Sequence, residues 1–341
     1  MILTNANPRE LEAFLTPHGF TENEARRIYS HHVHHGRRNW DVRDMARHKR
    51  EKAASLLETP TLEVVERKVA ADGFTKYLFR LADGPLVEAV RIPLFETKYT
   101  LCISSQAGCA LACAFCATGK MGIIRSLETW EIVEQLRIVR DEADRPIRGV
   151  VFMGMGEPFL NYENVVRAAQ IFADPSGAAI SGKAITISTA GVVPAIRRYT
   201  DEKHPYRLAI SLTSALTEKR KTLMPIEKKW PLTELVEAIR ERAKVTKDRV
   251  MLEYVAIAGV NCGVEDALAL KELLEGIPVL INLIEVNDAS GEFLPPQAPE
   301  FRAFRDALQM LNAPIVLRYS GGKDIQAACG MLAASQHPLP L

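Results

Sequence analysis

No apolar run in this 341-residue chain approaches the roughly 20 residues needed to cross a bilayer. The opening segment, Met1 to Pro8, has neither the basic stretch nor the apolar core of a secretion signal. A membrane or secreted placement is therefore not expected, and a cytoplasmic protein is. An excess of one charge is also lacking: 43 Lys and Arg face 42 Asp and Glu, and a net +1 singles out no partner. Internal repeats and low-complexity tracts are absent. Cysteine is scarce, at six residues, and with no export signal these read as thiols, metal ligands or catalysts rather than a disulfide framework.

What is present describes a globular protein. Hydrophobic residues make up 47% and charged residues 25%, enough to bury a core. The length fits about two domains, or one α/β barrel with a small module. Charge is uneven: Arg26, Arg27, Arg37, Arg38, Arg43, Arg47, Lys49, Arg50 and Lys52 share one stretch with His31, His32, His34, His35 and His48. Such a patch suits a polyanion, and equally a solvated helical face. The His-His-Val-His-His run lacks partners at ligand spacing, so it is expected to be RNA-facing or simply exposed.

Residues 1–60 read as a helical module, with helix starts at Asn7 and Thr21. Residues 61–95 read as short antiparallel strands, with turns at Asp72-Gly73 and Asp83-Gly84. From 96 to 341 the pattern alternates strand and helix. Strands are expected at Tyr99–Ser105, Gly149–Met153, Ala184–Ser188, Arg207–Leu212, Met251–Ile257, Val279–Val286 and Ile315–Tyr319. Their near-continuous apolar character is that of strands covered on both faces, so the fold class is α/β, with an open parallel sheet or a full or partial barrel. Gly156-Glu157, Ser188, Ser211 and Asn287 fall at carboxyl ends of strands, the edge that carries active sites in such folds. Each alone reads as a cap or turn residue; together they suggest a pocket.

The cysteines are clustered. Cys109, Cys113 and Cys116 form a Cys-x3-Cys-x2-Cys loop after the first of these strands, with Cys102 just before it and Cys262 and Cys329 far away. Three thiolates on one loop can converge on a soft centre. Structural zinc requires a fourth ligand. A [4Fe–4S] cluster held by three cysteines keeps one iron open for a cofactor. Buried structural thiols are the bland alternative.

The loop, with Thr100-Leu-Cys-Ile-Ser-Ser-Gln-Ala-Gly-Cys109, Phe152-Met-Gly-Met-Gly-Glu-Pro158, Ile187-Ser-Thr-Ala-Gly191 and Ala327-Ala-Cys-Gly330, resembles the RlmN/Cfr group of radical S-adenosylmethionine (SAM) RNA methyltransferases. The resemblance implies a partial (β/α)6-type barrel. It also implies methylation of a ring carbon, C2 most simply, of an adenosine in 23S rRNA and also in tRNA. Cys109, Cys113 and Cys116 would hold the cluster. Gly156, Glu157, Ser188, Ser211, Leu212, Thr213 and Asn287 would bind SAM. Cys329 would carry the methyl group, Cys102 would resolve the adduct through a transient disulfide, and Glu88 would accept a proton. A low-potential donor such as flavodoxin or ferredoxin would be a partner, and the basic N-terminal helices would grip RNA. The carrier step suits the target, since an amidine-type carbon is no nucleophile toward a sulfonium methyl group, and the cofactor supplies the hard chemistry.

This chain departs from the family pattern in places. Thr213 stands where His is common, Glu285-Val-Asn-Asp288 replaces Pro-Trp-Asn-Pro, and Arg318-Tyr-Ser-Gly-Gly322 replaces a more basic stretch. One extra residue lies between Glu88 and Cys102. Residue by residue, Cys329 alone reads as an inert thiol, Cys262 as a loop thiol, and Glu88 as a surface partner of Lys76 or Arg91. Alternatives are another radical SAM reaction, such as methylthiolation or cofactor maturation, and a zinc-stabilised RNA-binding protein without catalysis.

Overall fold

The seven apolar segments expected after Tyr99 all form strands in the computed structural model, which describes residues 1–247, 249–288 and 290–333. Among the described residues, ten strands share one mixed sheet. The first three, β1 (Glu63–Val69), β2 (Thr75–Arg80) and β3 (Leu86–Leu94), form an antiparallel flank. This flank pairs through β3 with β4 (Lys98–Cys102). A separate ribbon of β5 (Gln106–Gly108) and β6 (Ile123–Ser126) follows. The main sheet continues with β7 (Ile147–Phe152), β8 (Ile185–Thr189), β9 (Arg207–Ser211), β10 (Val250–Ala256), β11 (Val279–Glu285) and β12 (Ile315–Leu317), all parallel to β4.

Helices cover the outer face. The first two, α1 (Pro8–Leu15) and α2 (Glu22–Tyr29), begin at capping boxes, Asn7 with Glu10 and Thr21 with Glu24, as the sequence signals require. A third, α3 (Arg47–Leu56), completes the N-terminal module, and α4 (Ala117–Lys120) is one turn after the cysteine loop. The crossovers are α5 (Thr129–Glu142), α6 (Tyr162–Ala173), α7 (Val193–Asp201), α8 (Thr217–Leu223) with α9 (Leu232–Thr246), α10 (Val264–Leu273) and α11 (Ala298–Ala307). Parallel strands require such covering connections. The stripe Leu232, Leu235, Val236, Ile239 and Ala243 of α9 is buried throughout.

The architecture is the expected α/β partial barrel. Laid flat, β4 and β12 would sit roughly 29 Å apart at ~4.8 Å per strand. Instead Cys102 of β4 and Arg318, just after β12, line one interior cavity, so the sheet curls into an open barrel. Inside it, period-two alternation points Met251, Glu253 and Val255 of β10 inward.

The N-terminal module packs on the barrel's outer helices. Trp130 N donates to Asn5 Oδ1 at 2.8 Å, and Arg167 pairs with Glu10. Here the sequence reading is corrected for His32 and His34, while His35 is exposed as expected. His32 is fully buried against Trp40, and burial pushes its pKa down to about 4. His34 Nδ1 bonds Gly177 O at 2.9 Å, at the loop that enters β8. His32 and His34 thus form a packing joint, and desolvation disfavours the charged form of His32. Of the basic stretch, Arg26, Arg43, Arg47, Lys49 and Arg50 pair with Glu22, Asp44, Glu51, Glu24 and Asp41 respectively.

Candidate active site

The cysteine loop leaves β5 through Gly108 at φ +75°, where an added Cβ would lie 1.9 Å from Gly122 O, so only glycine fits. Cys109 N then donates to Gly122 O at 2.8 Å, and Ala114 N to Leu223 O at 2.9 Å. These bonds fasten the loop between the ribbon and α8. Cys109, Cys113 and Cys116 line a cavity of about 170 Å³ at the carboxyl edge of the strands. Burial raises all three thiol pKa values, Cys109 to about 12. Cys113 also feels the negative charge of both other sulfurs.

The rest of that cavity comes from successive strand ends. Gly156 follows β7 at φ +97°, with an added Cβ only 2.5 Å from Gln106 Cβ. Glu157 is buried, and its Oε1 and Oε2 accept from Phe159 N and Ala190 N at 2.9 and 2.8 Å. Desolvation outweighs those bonds and lifts its pKa to about 7. Ser188, Ser211 and Asn287 complete the wall, and Cys329 lines it beside the cysteine loop, where Gly330 O accepts from Ala117 N at 2.8 Å. Leu212 and Thr213 sit behind Ser211, outside the lining; Leu212 N donates to Glu253 O at 2.9 Å, and Thr213 holds φ +58°. Cys262 is buried away from this wall, with Sγ 3.6 Å from Asn261 Oδ1.

A second cavity of about 530 Å³ occupies the barrel interior, and Met153, Glu253, Arg318 and Cys329 line both. Cys102 lines this second space, buried, with its pKa raised to about 12 by desolvation and by the neighbouring Cys329. Cys102 and Cys329, distant in sequence, are therefore brought together as free thiols. The surrounding charge is fixed by residues that the sequence did not single out. Glu253 Oε1 accepts from Asn282 Nδ2 at 2.9 Å, and Arg318 Nη1 lies 3.5 Å from Glu253 Oε2 and 3.0 Å from Met153 Sδ.

Glu88 lies outside both linings, under the segment that carries Cys329. Its expected surface pairing is corrected: Lys76 is its partner at 3.1 Å, but both side chains are buried, because β2 and β3 lie inside the sheet with the C-terminal segment across them. Burial raises the Glu88 pKa, and Lys76 is the main opposing effect.

No sequence motif marked Arg220 for this site. It is fully buried, paired with Glu227 at 2.7 Å, and it donates to Ala190 O at 2.8 Å and Leu212 O at 3.2 Å. Those two carbonyls follow β8 and β9, so one guanidinium holds both strand ends behind the cavity. The available signal was weak: a single Arg among lysines, seven residues before a Glu.

Among the described residues, no three His, Cys, Asp or Glu side chains close tightly enough to hold a single metal ion. Three thiols spread around the rim of a cavity suit a larger iron–sulfur group with one iron left for a ligand. Residues 103–270 match the model of the radical SAM superfamily. Over 99% of its length the chain is 53% identical to a probable RNA methyltransferase of Myxococcus xanthus, covering 95% of that protein. It is 41% identical to a probable dual-specificity RNA methyltransferase RlmN of Moorella thermoacetica, over 95% of each chain. The crystal structure of a radical SAM methyltransferase from Sphaerobacter thermophilus superposes with a TM-score of 0.92 at 36% identity, over 98% of this chain and 99% of that one. Among the described residues, no helix is long and apolar enough to cross a membrane. Related along nearly its whole length to proteins of this kind, whose family implies SAM, a [4Fe–4S] cluster and an RNA substrate, the chain belongs to the radical SAM RNA methyltransferases of the RlmN type.

Proposed function

We propose that this enzyme methylates C2 of an adenosine in 23S rRNA, and of one in tRNA, through a methyl group carried on Cys329. The observation that carries the reading is the shared interior space: Cys329 lines both the cavity of the three clustered cysteines and the cavity of Cys102. Cys109, Cys113 and Cys116 would hold the cluster, one per subunit. Gly156, Glu157, Ser188, Ser211 and Asn287 would contact SAM, with the backbone around Leu212 and Thr213 shaping the wall. Bound there, the cofactors supply a methyl group and a carbon radical able to remove hydrogen from a methyl carbon.

The chain's own residues then divide the work. The Cys329 thiolate accepts the methyl group on Sγ, and that S-bound carbon is delivered to the base. Glu88 takes the proton that the ring carbon must lose. Attack of the Cys102 thiolate on Cys329 Sγ forms a disulfide and breaks the bond to the delivered carbon, which leaves with the bonding electron pair and takes up a proton to become the methyl group; an external reductant reopens the disulfide. A flavodoxin or ferredoxin fits as electron donor, and a cytoplasmic location follows from such a partner and substrate. The exposed Arg37 and Lys52 would contact RNA phosphates, which position without specifying. The target base leaves its stack to enter the cavity.

Mass spectrometry of the purified holoenzyme and its RNA product tests this reading. Methylated Cys329 and a C2-methyladenosine are expected, both abolished in C329A. Undiminished product in C329A overturns the carrier role and favours another radical SAM reaction.

A further inference from the structure

Lys76 is 8% exposed, an unusual burial for an ammonium group, which must be compensated by partners. It has two, on different elements. Across the β2–β3 pair lies Glu88 Oε1 at 3.1 Å, and from the C-terminal segment comes the carbonyl of Gln326 at 3.3 Å. Gln326 holds φ +56°, a conformation that side-chain-bearing residues seldom adopt, just ahead of Cys329. On one side of Cys329, Gly322 N also donates to Asp72 Oδ2 at 2.9 Å, next to the flank. On the other, Gly330 O accepts from Ala117 N at 2.8 Å, next to the cysteine loop. The segment is thus sewn between the antiparallel flank and the cysteine loop, and Lys76 is its one charged stitch to Glu88 among the described residues.

We propose that Lys76 is a positioning residue for methyl transfer: its ammonium group orients the Glu88 carboxylate and fastens the Cys329 segment, through Gln326, to the antiparallel flank. The proposal rests on the reading of Glu88 as proton acceptor. A carboxyl group that already carries a proton cannot take another from the base. Glu88 is 3% exposed, and burial favours its neutral form. The charges facing it are Lys76 on β2 and, from beyond ion-pair range, Lys68 on β1; the Ala333 backbone on the C-terminal segment adds a smaller effect of the same sign. With Lys76 removed, nothing of comparable strength opposes protonation.

The experiment compares K76M, K76R and E88Q as full-length, cluster-loaded enzymes. RNA methylation is followed against pH, Cys329 methylation by mass spectrometry, and the carboxylic C=O band of Glu88 by infrared difference against E88Q. Hydrogen exchange of residues 322–333 is measured as well. In K76M the acid limb of RNA methylation is expected to move up by about one pH unit or more. A Glu88 carboxylic band then appears at neutral pH, exchange in 322–333 quickens, and Cys329 still becomes methylated. K76R, which keeps the charge, is expected to retain the wild-type pH profile. A K76M enzyme with the wild-type profile and no new band, beside an inactive E88Q, overturns the role of Lys76 alone. Full RNA methylation by E88Q overturns the reading of Glu88 and this proposal with it. Should K76M fail to fold, K76M/E88Q, which removes both buried charges, is compared with E88Q; unchanged exchange in 322–333 overturns the fastening role.

Discussion

Arg220 Nη1 donates to Glu227 Oε2 at 2.7 Å in a site that solvent reaches at neither end. Glu227 in turn accepts from Leu232 N at 2.8 Å, at the start of α9. The pair therefore joins a helix start to the carbonyls behind the cavity wall. Burial of an unpaired carboxylate is expensive. R220M is expected to lower stability by about 3–5 kcal/mol. R220K is expected to rescue little, because an ammonium group cannot reach several carbonyls in the plane of a guanidinium. Urea unfolding of both variants checks this, and a loss under 1 kcal/mol for R220M contradicts it.

Gly156 leaves no room for a methyl group, and its positive φ strains any other residue. G156A should displace Gln106, whose Oε1 receives Glu157 N at 2.8 Å, and so distort the wall. A stability loss of roughly 1–3 kcal/mol is expected, with weaker SAM binding in calorimetry. Wild-type stability and affinity together would show that the backbone relaxes freely here.

Glu157 makes stability depend on pH. Its pKa is near 7 when folded against an ordinary 4.5, so the folded state holds the proton more tightly. The stabilisation is complete below pH 4.5 and is lost as pH rises through 7. Over that window the wild type should lose about 3 kcal/mol relative to E157Q, which cannot titrate. Parallel stability curves for the two proteins, without cofactor, would count against this.

Cys102 and Cys329 differ in proposed role, so their variants should fail differently. C102A is expected to stall after carbon delivery and leave RNA covalently attached to Cys329, whereas C329A leaves none. Gel electrophoresis with nuclease digestion and peptide mass mapping separates the two. C262A, whose sulfur lies off the cavity wall, is expected to keep full product formation.

The parallel strands were legible because continuous apolar runs bounded by turns announce burial on both faces, and each was found within a few residues. The α1 and α2 starts were legible because a cap and its acid are local chemistry. The β5–β6 ribbon escaped notice: Gln106–Gly108 is too short to show a period, and its partner lies beyond the whole cysteine loop. His32 and His34 departed from the expectation because sequence shows their charge and not their cover; Trp40 and the loop at Gly177 provide that cover.

By itself the sequence determined the donor set, three thiols on one loop, since ligand spacing is a property of neighbouring residues. It also determined the glycines that let the loop turn. Only the tertiary structure decided that Cys329 meets Cys102, that Lys76 and Glu88 share a buried site, and that Arg220 faces inward. Those relations arise when a curled sheet and its covering segments bring distant residues into one low-dielectric space, where each charge must find a partner; no local pattern encodes which partner that is.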